Sequence, residues 1–398
     1  MSVSGHRRIV GHPTAPIAGG ESFTHAKGLA CSVRPLPALI LLALSFQGGC
    51  DDSGDVSPNG RFDAAGPQDG GTAASLDSND EPGSDGGGPP NPTLVVLPDT
   101  QFYAAAYPEI FYAQAQWIVD HRRSSNLVAV LHEGDLVDDS SSLDQWQVAS
   151  TSFAKLDGII PYLVLAGNHD ESLSRQGYMD QYFPASRFEP YAWFGGTFES
   201  GKSENGYAIV PIGDTPWLLL ALEFGPRNAV VAWADGVLKS NAEKPAVLVT
   251  HAYLYNDGTR YDNSKVPRQS FDPHDYNYTP LEGVNDGEEL WRQLVLGNEN
   301  VKLVLSGHCL GDPANLKGAA ARLSSVRPSG SAVHQILANY QTCADMSCPE
   351  MPQIRGGNGY LRLIELDQAQ HVLRVHTYSP YLNQYLVTAD NDFVLPWP

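Results

Sequence analysis

Cysteine is scarce, with five among 398 residues, which excludes a scaffold held together by a dense disulfide framework. Basic residues are outnumbered, 25 Lys and Arg against 45 Asp and Glu for a net charge of −20. A general nucleic-acid or anionic-membrane binder needs the opposite sign. No run reaches the roughly 18 apolar residues of a membrane-spanning helix. No self-similarity at a period of about 20–50 residues suggests a solenoid. What is present, 42% hydrophobic and 18% charged residues, is ordinary for a globular chain. The length allows one large domain or two modest ones.

The charge is uneven along the chain. Residues 1–50 carry Arg7, Arg8, Lys27 and Arg34 against Glu21. Lys27 and Arg34 precede the uncharged apolar run from Leu36 to Phe46, and Gly48 and Gly49 then lead to Cys50. A basic segment, an apolar run of about 7–15 residues and small residues at a cleavage point make up a secretory signal. A cysteine straight after the small residues resembles a bacterial lipoprotein box, in which the thiol is lipidated and becomes the new N-terminus. Gln47 stands where such boxes usually hold Leu. Residues 1–50 are therefore expected to be an export leader with Cys50 as lipidation site, the alternative being a plain cleaved signal. Residues 51–92 hold nine acids against Arg61, almost no large apolar side chains, and the run Gly86-Gly87-Gly88-Pro89-Pro90. Such a segment cannot bury enough surface to offset its ordering entropy, and it is expected to be a disordered, extended tether. The implied setting is outside the bacterial cytoplasm, on a membrane through the lipid alone or in the periplasm or medium.

Residues 93–398 are expected to form the folded domain. Thr93 to Leu97 is a short apolar run behind Pro92, the mark of a buried strand. Helical spacing follows from Glu109 to Arg123, then a strand from Leu127 to Leu131, a helix from Leu143 to Leu156 and a strand from Ile159 to Leu165. This alternation implies parallel strands joined by crossover helices. Further strands are expected at Tyr207 to Pro211, Trp217 to Leu222, Ala246 to Thr250, Val301 to Leu305 and Val333 to Leu337. Tyr360 to Leu366 and Val372 to Tyr378 flank a short turn and should pair antiparallel. Helices are expected over Asn228 to Leu238 and Glu288 to Leu296.

The informative residues stand at the strand ends. The first strand leads into Asp99-Thr100-Gln101, the second into Glu133-Gly134-Asp135, and the third into Gly167-Asn168-His169-Asp170. Val247 to Thr250 ends at His251, and Leu303 to Leu305 ends at Ser306-Gly307-His308. In open α/β sheets, ligands bind outside the carboxyl ends of strands. Five polar strand ends in one domain are hard to explain by packing. Asp, Asn and His are oxygen and nitrogen donors for hard to borderline divalent ions. Two such ions about 3.5–4 Å apart can clamp a phosphoryl group and supply hydroxide at neutral pH.

The ordered blocks Asp-x-Gln, Gly-Asp, Gly-Asn-His-Asp, His and Gly-His resemble those of the calcineurin-like metallophosphoesterases, from Asp99 to His308. Gly-Asn-His-Asp is the most specific piece. The resemblance implies an α/β (α+β) fold of four layers, a two-sheet β-sandwich flanked by helices. It also implies hydrolysis of phosphoric monoesters or diesters by hydroxide at a pair of divalent ions, drawn from Mn, Mg, Fe or Zn. Asp99 would bind the first ion, Asp135 both, and Asn168, His251 and His308 the second. His169, held by Asp170, would touch the phosphoryl group and assist the leaving group. Two positions depart from the pattern. Gln101 replaces a usual His, and Leu310 stands where the last block usually has a second His. Both would have served the first ion. The amide oxygen of Gln101 is expected to ligate a hard ion or to hold a water bound to it, and the first ion to be weakly held. The alternative is a catalytically weak binding protein of the same fold. Purple acid phosphatases place a tyrosinate three residues after the bridging Asp. Here that position is Asp138, which excludes that branch.

Other candidates rest on weaker signals. The long aromatic segment from Tyr253 to Tyr278 offers Tyr255, Arg260, Tyr261, His274 and Tyr276 as a substrate lid, the alternative being a surface flap. Arg227 offers a bidentate contact to phosphate, against an exposed arginine at a helix start. His132 is either a neighbour of the metal ligands or a satisfied core histidine. Asp138 and Asp139 are expected to cap the next helix or turn. Cys343 and Cys348 suit a small-loop disulfide in an exported chain, and Cys309 a packed thiol. The expected partner is a phosphoester, not nucleic acid.

Overall fold

The run Thr93–Leu97 forms β1, and its residues alternate between two apolar layers. The computed structural model describes residues 90–276, 278, 282–311, 317–341 and 355–397. Cys50, Cys343 and Cys348, with the expected leader and nearly all of the expected tether, lie outside the described residues. The described residues belong to one compact unit, Asn79–Pro398.

In chain order the strands are β1, β2 (Leu127–His132), β3 (Tyr162–Leu163), β4 (Phe194–Thr197), β5 (Gly206–Ile212), β6 (Thr215–Leu222) and β7 (Ala246–Thr250). They continue with β8 (Val301–Ser306), β9 (Ala320–Val326), β10 (Ala332–Ala338), β11 (Leu361–Asp367), β12 (Val372–Ser379), β13 (Gln384–Tyr385) and β14 (Phe393–Pro396). The helices are α1 (Gln101–Ala106), α2 (Pro108–His121), α3 (Leu143–Ala154), α4 (Met179–Tyr182), α5 (Asn228–Ser240) and α6 (Gly287–Leu290). One sheet runs β13-β12-β11-β1-β2-β3 with β14 against β12, and the other runs β4-β5-β6-β7-β8-β10-β9. Strands β1, β2 and β3 are mutually parallel, as are β6, β7, β8 and β10. The expected antiparallel pair is β11 with β12.

Leu94 and Val96 of β1 face Leu219, Val247 and Leu305 of the other sheet in a shared core. Val95 and Leu97, one residue out of phase, pack with Ile110, Phe111 and Ile118 of α2 and with Trp146 and Phe153 of α3. On the far side Leu218, Leu220 and Leu248 pack with Val230, Ala234 and Leu238 of α5. The result is helix, sheet, sheet, helix, the expected four layers. Covering both faces of each sheet explains why its central strands are continuous apolar runs. Among the described residues no helix is long and apolar enough to cross a membrane.

Three of the expected features take a different form. The strand expected over Ile159 to Leu165 pairs only at Tyr162 and Leu163, because Pro161 has no N–H to give a ladder. The helix near Glu288 begins with a capping box of Asp286 and Glu289, then loosens into a π-helical turn over Trp291–Val295. The cap of α3 is Ser142, whose side chain accepts from Gln145 N, while Asp139 caps the turn just before it, its Oδ1 accepting from Ser141 N at 2.8 Å.

Candidate metal centre

The carboxyl ends of β1, β2 and β3 in one sheet and of β7 and β8 in the other open onto a common floor. Asp99, Asp135, His251 and His308 are all buried there. Asp135 and His308 hold φ of 55° and 66°, a left-handed conformation costly for residues with a side chain and concentrated at functional sites. Two glycines make the close approach possible. A Cβ on Gly167 would lie 2.1 Å from Asp135 Oδ1, and one on Gly307 would lie 2.1 Å from Asp99 Oδ1. The glycines of Gly-Asn-His and Gly-His are thus the space the carboxylates occupy.

Four donor atoms meet at His251. Its Nε2 lies 3.2 Å from Asp135 Oδ2, 3.1 Å from Asn168 Oδ1 and 3.2 Å from His308 Nδ1. Each imidazole has its other nitrogen on a backbone carbonyl: His251 Nδ1 donates to Glu133 O at 2.7 Å and His308 Nε2 to Phe271 O at 2.8 Å. This is how a protein fixes the tautomer of a ligating histidine and turns its lone pair inward. Burial pushes His251 down, but Asp135 and Asp99 outweigh it and hold the group up at about 10. Burial and the His251 charge push His308 down to about 3. Asp135 is buried too, yet His251 and His169 hold its carboxyl well below the usual range. One N–H of His251 therefore faces three acceptors, which a single proton cannot satisfy. The donor set fits a divalent cation in the proton's place, and Asp99, Asp135 and His251 bring ligating atoms within 4.8 Å of one another.

Asp99 is held from the other side. His308 N donates to it at 3.2 Å, Asn339 Nδ2 to Oδ2 at 2.9 Å and Gln341 Nε2 to Oδ2 at 3.1 Å. Burial, less the pull of His251, raises its pKa to about 7. Gln101 Oε1 and Gln341 Oε1 are buried and receive no donor among the described residues. Gln101 is buried at the start of α1, its Nε2 donating to Asp138 Oδ1 at 3.2 Å. Asn339 and Gln341 were not anticipated from the sequence. The signal was available, since they follow the carboxyl end of β10 as the other polar residues follow theirs.

His169 stands half-buried beside this floor. Its backbone N–H donates to Asp135 Oδ1 at 2.9 Å, and its ring Nδ1 lies 2.9 Å from Asp138 O and 3.5 Å from Asp138 Oδ1. Asp170 does not hold the His169 ring, contrary to expectation. Its buried carboxylate accepts from Leu136 N (3.1 Å), Val137 N (3.0 Å) and Gly167 N (2.8 Å), tying the β2 and β3 turns together. Adjacent residues in a tight turn point apart, so sequence neighbours need not be side-chain partners.

The other candidates scatter. Of the two readings of Arg227, the structure shows the arginine at a helix start: it precedes α5 and pairs with Glu223 (2.8 Å) and Glu199 (3.1 Å). Tyr255 packs on Tyr261. Arg260 pairs with Glu288 and stacks on Trp291. His274 lies 2.8 Å from Glu289. From the aromatic segment, Tyr261, Phe271 and Tyr276 do reach the centre, with ring centroids 5.9, 6.4 and 6.1 Å from His308. His132 is the satisfied core histidine: Gly134 N donates to its Nδ1 at 3.1 Å, Thr100 Oγ1 lies 2.9 Å from Nε2, and burial pushes it down to about 3. Cys309 is a free, buried thiol that burial pushes up to about 11, an inert state.

Residues 92–310 match the family model described as calcineurin-like phosphoesterase. An uncharacterized protein of Bacillus subtilis (strain 168), YvnB, is 34% identical over 298 residues, or 73% of this chain. The chain spans 20% of the length of that relative. Solved structures with some similarity include purple acid phosphatase PPD1 from yellow lupin seeds, at 12% identity and a TM-score of 0.44, covering 77% of this chain and 53% of that one. A Thermus thermophilus protein has 10% identity and a TM-score of 0.40, covering 73% of this chain and 99% of that one.

Proposed function

Since this chain belongs to the calcineurin-like phosphoesterase family, we propose that it hydrolyses phosphoric esters with divalent ions held by Asp99, Asp135, Asn168, His251 and His308. The observation that carries this is the meeting of Asp135, Asn168 and His308 at His251 Nε2, with both outer imidazole nitrogens bonded to carbonyls. Divalent ions there would act as Lewis acids on a phosphoryl oxygen and lower the pKa of water.

The chain's own residues do the rest. Asp135 turns one oxygen to the histidine cluster and the other to His169 N. Asp99 is fixed by two side-chain amides. The donor-free oxygens of Gln101 and Gln341 suit a hard ion such as Mn²⁺ or Mg²⁺ at the first position, standing in for the histidines this chain lacks. The ring of His169 is anchored through Nδ1 on Asp138 O, which leaves Nε2 to hold a proton for the leaving-group oxygen. Burial lowers the pKa of His169, but Asp135 and Asp138 outweigh burial and raise it, which favours the protonated acid.

The test follows hydrolysis of nitrophenyl monoesters and diesters by the metal-stripped full chain as Mn²⁺ is restored. Turnover that needs the metal and is lost in Asp135→Asn supports hydrolysis, and the preferred ester assigns the substrate class. Bound metal without turnover favours the binding-protein alternative motivated by Gln101 and Leu310. The basic leader, apolar run and Cys50 support export with a lipid on that thiol. A Cys50→Ser chain that still partitions with bacterial membranes would contradict the anchor.

A further inference from the structure

A second cluster of ligating side chains lies in the aromatic segment. Asp272, His274 and Asp286 bring donor atoms within 4.8 Å of one another, and both carboxylates are 1% exposed. They come from two stretches of chain. Asp272 starts the short turn Pro273–Asp275, its Oδ1 accepting from His274 N at 2.9 Å. Asp286 caps α6, its Oδ1 accepting from Glu289 N at 2.8 Å and its Oδ2 from Asn263 N at 2.9 Å. His274 Nε2 lies 2.8 Å from Glu289 Oε2 and 3.8 Å from Asp286 Oδ2. Asp272 Oδ2 is buried and receives no donor among the described residues. A buried carboxylate oxygen without a donor is costly unless a cation meets it.

We propose that Asp272, His274 and Asp286 bind one Zn²⁺ ion, separate from the centre built on Asp135 and His251. Two carboxylates and one imidazole, with Glu289 or a solvent molecule as fourth ligand, are the mixed oxygen and nitrogen set that zinc takes in tetrahedral sites. On binding, His274 Nε2 exchanges its contact with Glu289 for the ion. The ion ties the turn at 272–275 to the start of α6. Phe271, the residue before Asp272, gives its carbonyl to His308 Nε2 at 2.8 Å. The second ion therefore fixes, one peptide away, the acceptor that sets the His308 tautomer.

The experiment counts Zn²⁺ by equilibrium dialysis on the metal-stripped full chain carrying Asp135→Asn and His251→Ala, so that the first centre does not contribute. One Zn²⁺ per chain is expected. Adding Asp272→Asn and His274→Gln should weaken that uptake at least 100-fold. Equal uptake with and without these changes, or no uptake by the chain with the second cluster intact, would overturn the proposal. Should Asp272→Asn disturb folding, His274→Gln alone, on a partly exposed ring, serves instead. Co²⁺ in place of Zn²⁺ should then show a visible absorption spectrum that His274→Gln changes, and an identical spectrum would overturn the assignment.

Discussion

Gly307→Ala isolates the contact on which the first half of the centre depends. Gly307 does not hold a positive φ, so the backbone accepts alanine. The conflict is with one atom, since the added Cβ would lie 2.1 Å from Asp99 Oδ1, where real Cβ contacts do not fall below 3.0 Å. The carboxylate must shift by about 0.9 Å, which disturbs its hydrogen bonds to Asn339 Nδ2 and Gln341 Nε2, now at 2.9 and 3.1 Å. Hydrogen bonds to a charged group are worth roughly 1.5–3 kcal/mol each, so partial loss of both costs about 2–4 kcal/mol. Chemical denaturation of the metal-free chain reads this cost directly. Asp99→Ala removes the obstructing oxygen, so in that background Gly307→Ala should cost under about 0.5 kcal/mol, a coupling that a double-mutant cycle isolates. Equal costs in the two backgrounds, or no cost in either, would refute the claim that Gly307 is glycine to make room for Asp99.

Asp170→Asn should cost about 2–4 kcal/mol, because an amide cannot accept all three backbone N–H groups that the carboxylate now satisfies. A fall in Tm is expected, and a loss of kcat with Tm unchanged would restore Asp170 as the partner of the His169 ring. Gln341→Ala frees one side of Asp99 and removes a donor-free oxygen, so calorimetric titration should find the first ion bound about 10–100-fold more weakly. Unchanged affinity would remove Gln341 from the site. Glu204 gives a pH test. Burial and its hydrogen bond to Asp180 raise it from 4.5 to about 7. The folded chain thus holds a proton that the unfolded chain has lost. That stability is complete below about 4.5 and disappears as pH rises through about 7. At ~1.4 kcal/mol per pH unit, and discounted for partial exposure, Glu204→Gln should gain about 1–2 kcal/mol relative to the parent between pH 4 and pH 8. A pH-independent difference would contradict it.

The central strands were legible because helices and a second sheet cover both faces of each sheet, leaving β1, β6, β7 and β8 as largely apolar runs. The missed strands sit at sheet margins. β4 and β9 are the two edges of one sheet, β13 is an edge of the other, and β14 pairs only with β12. Such strands bury little and carry Gly, Ser or Pro, as in Phe194-Gly195-Gly196-Thr197. Asp99, Asp135, Asn168, His251 and His308 were legible because each stands where a parallel strand ends. Asn339 and Gln341 obey the same rule, directly after β10 with Tyr340 between them, but no adjacent Gly-Asp or Gly-His signature marks them. The side-chain partners were not legible. Arg227 meets Glu223 four residues away outside any helix, and Asp170 meets the backbone of a distant turn. The Asp170 pairing exists only once β2 and β3 lie side by side.

The most direct measurement counts Mn²⁺ bound by the metal-stripped full chain and by Asn168→Ala, with ester hydrolysis followed in the same samples. Asn168 gives one oxygen to the meeting point at His251 Nε2 and no backbone support to the fold among its described contacts. Bound metal and turnover should fall together in Asn168→Ala, by at least tenfold, with Tm of the metal-free chain nearly unchanged. Full metal uptake with full turnover in Asn168→Ala would contradict the assignment of this cluster as the metal centre.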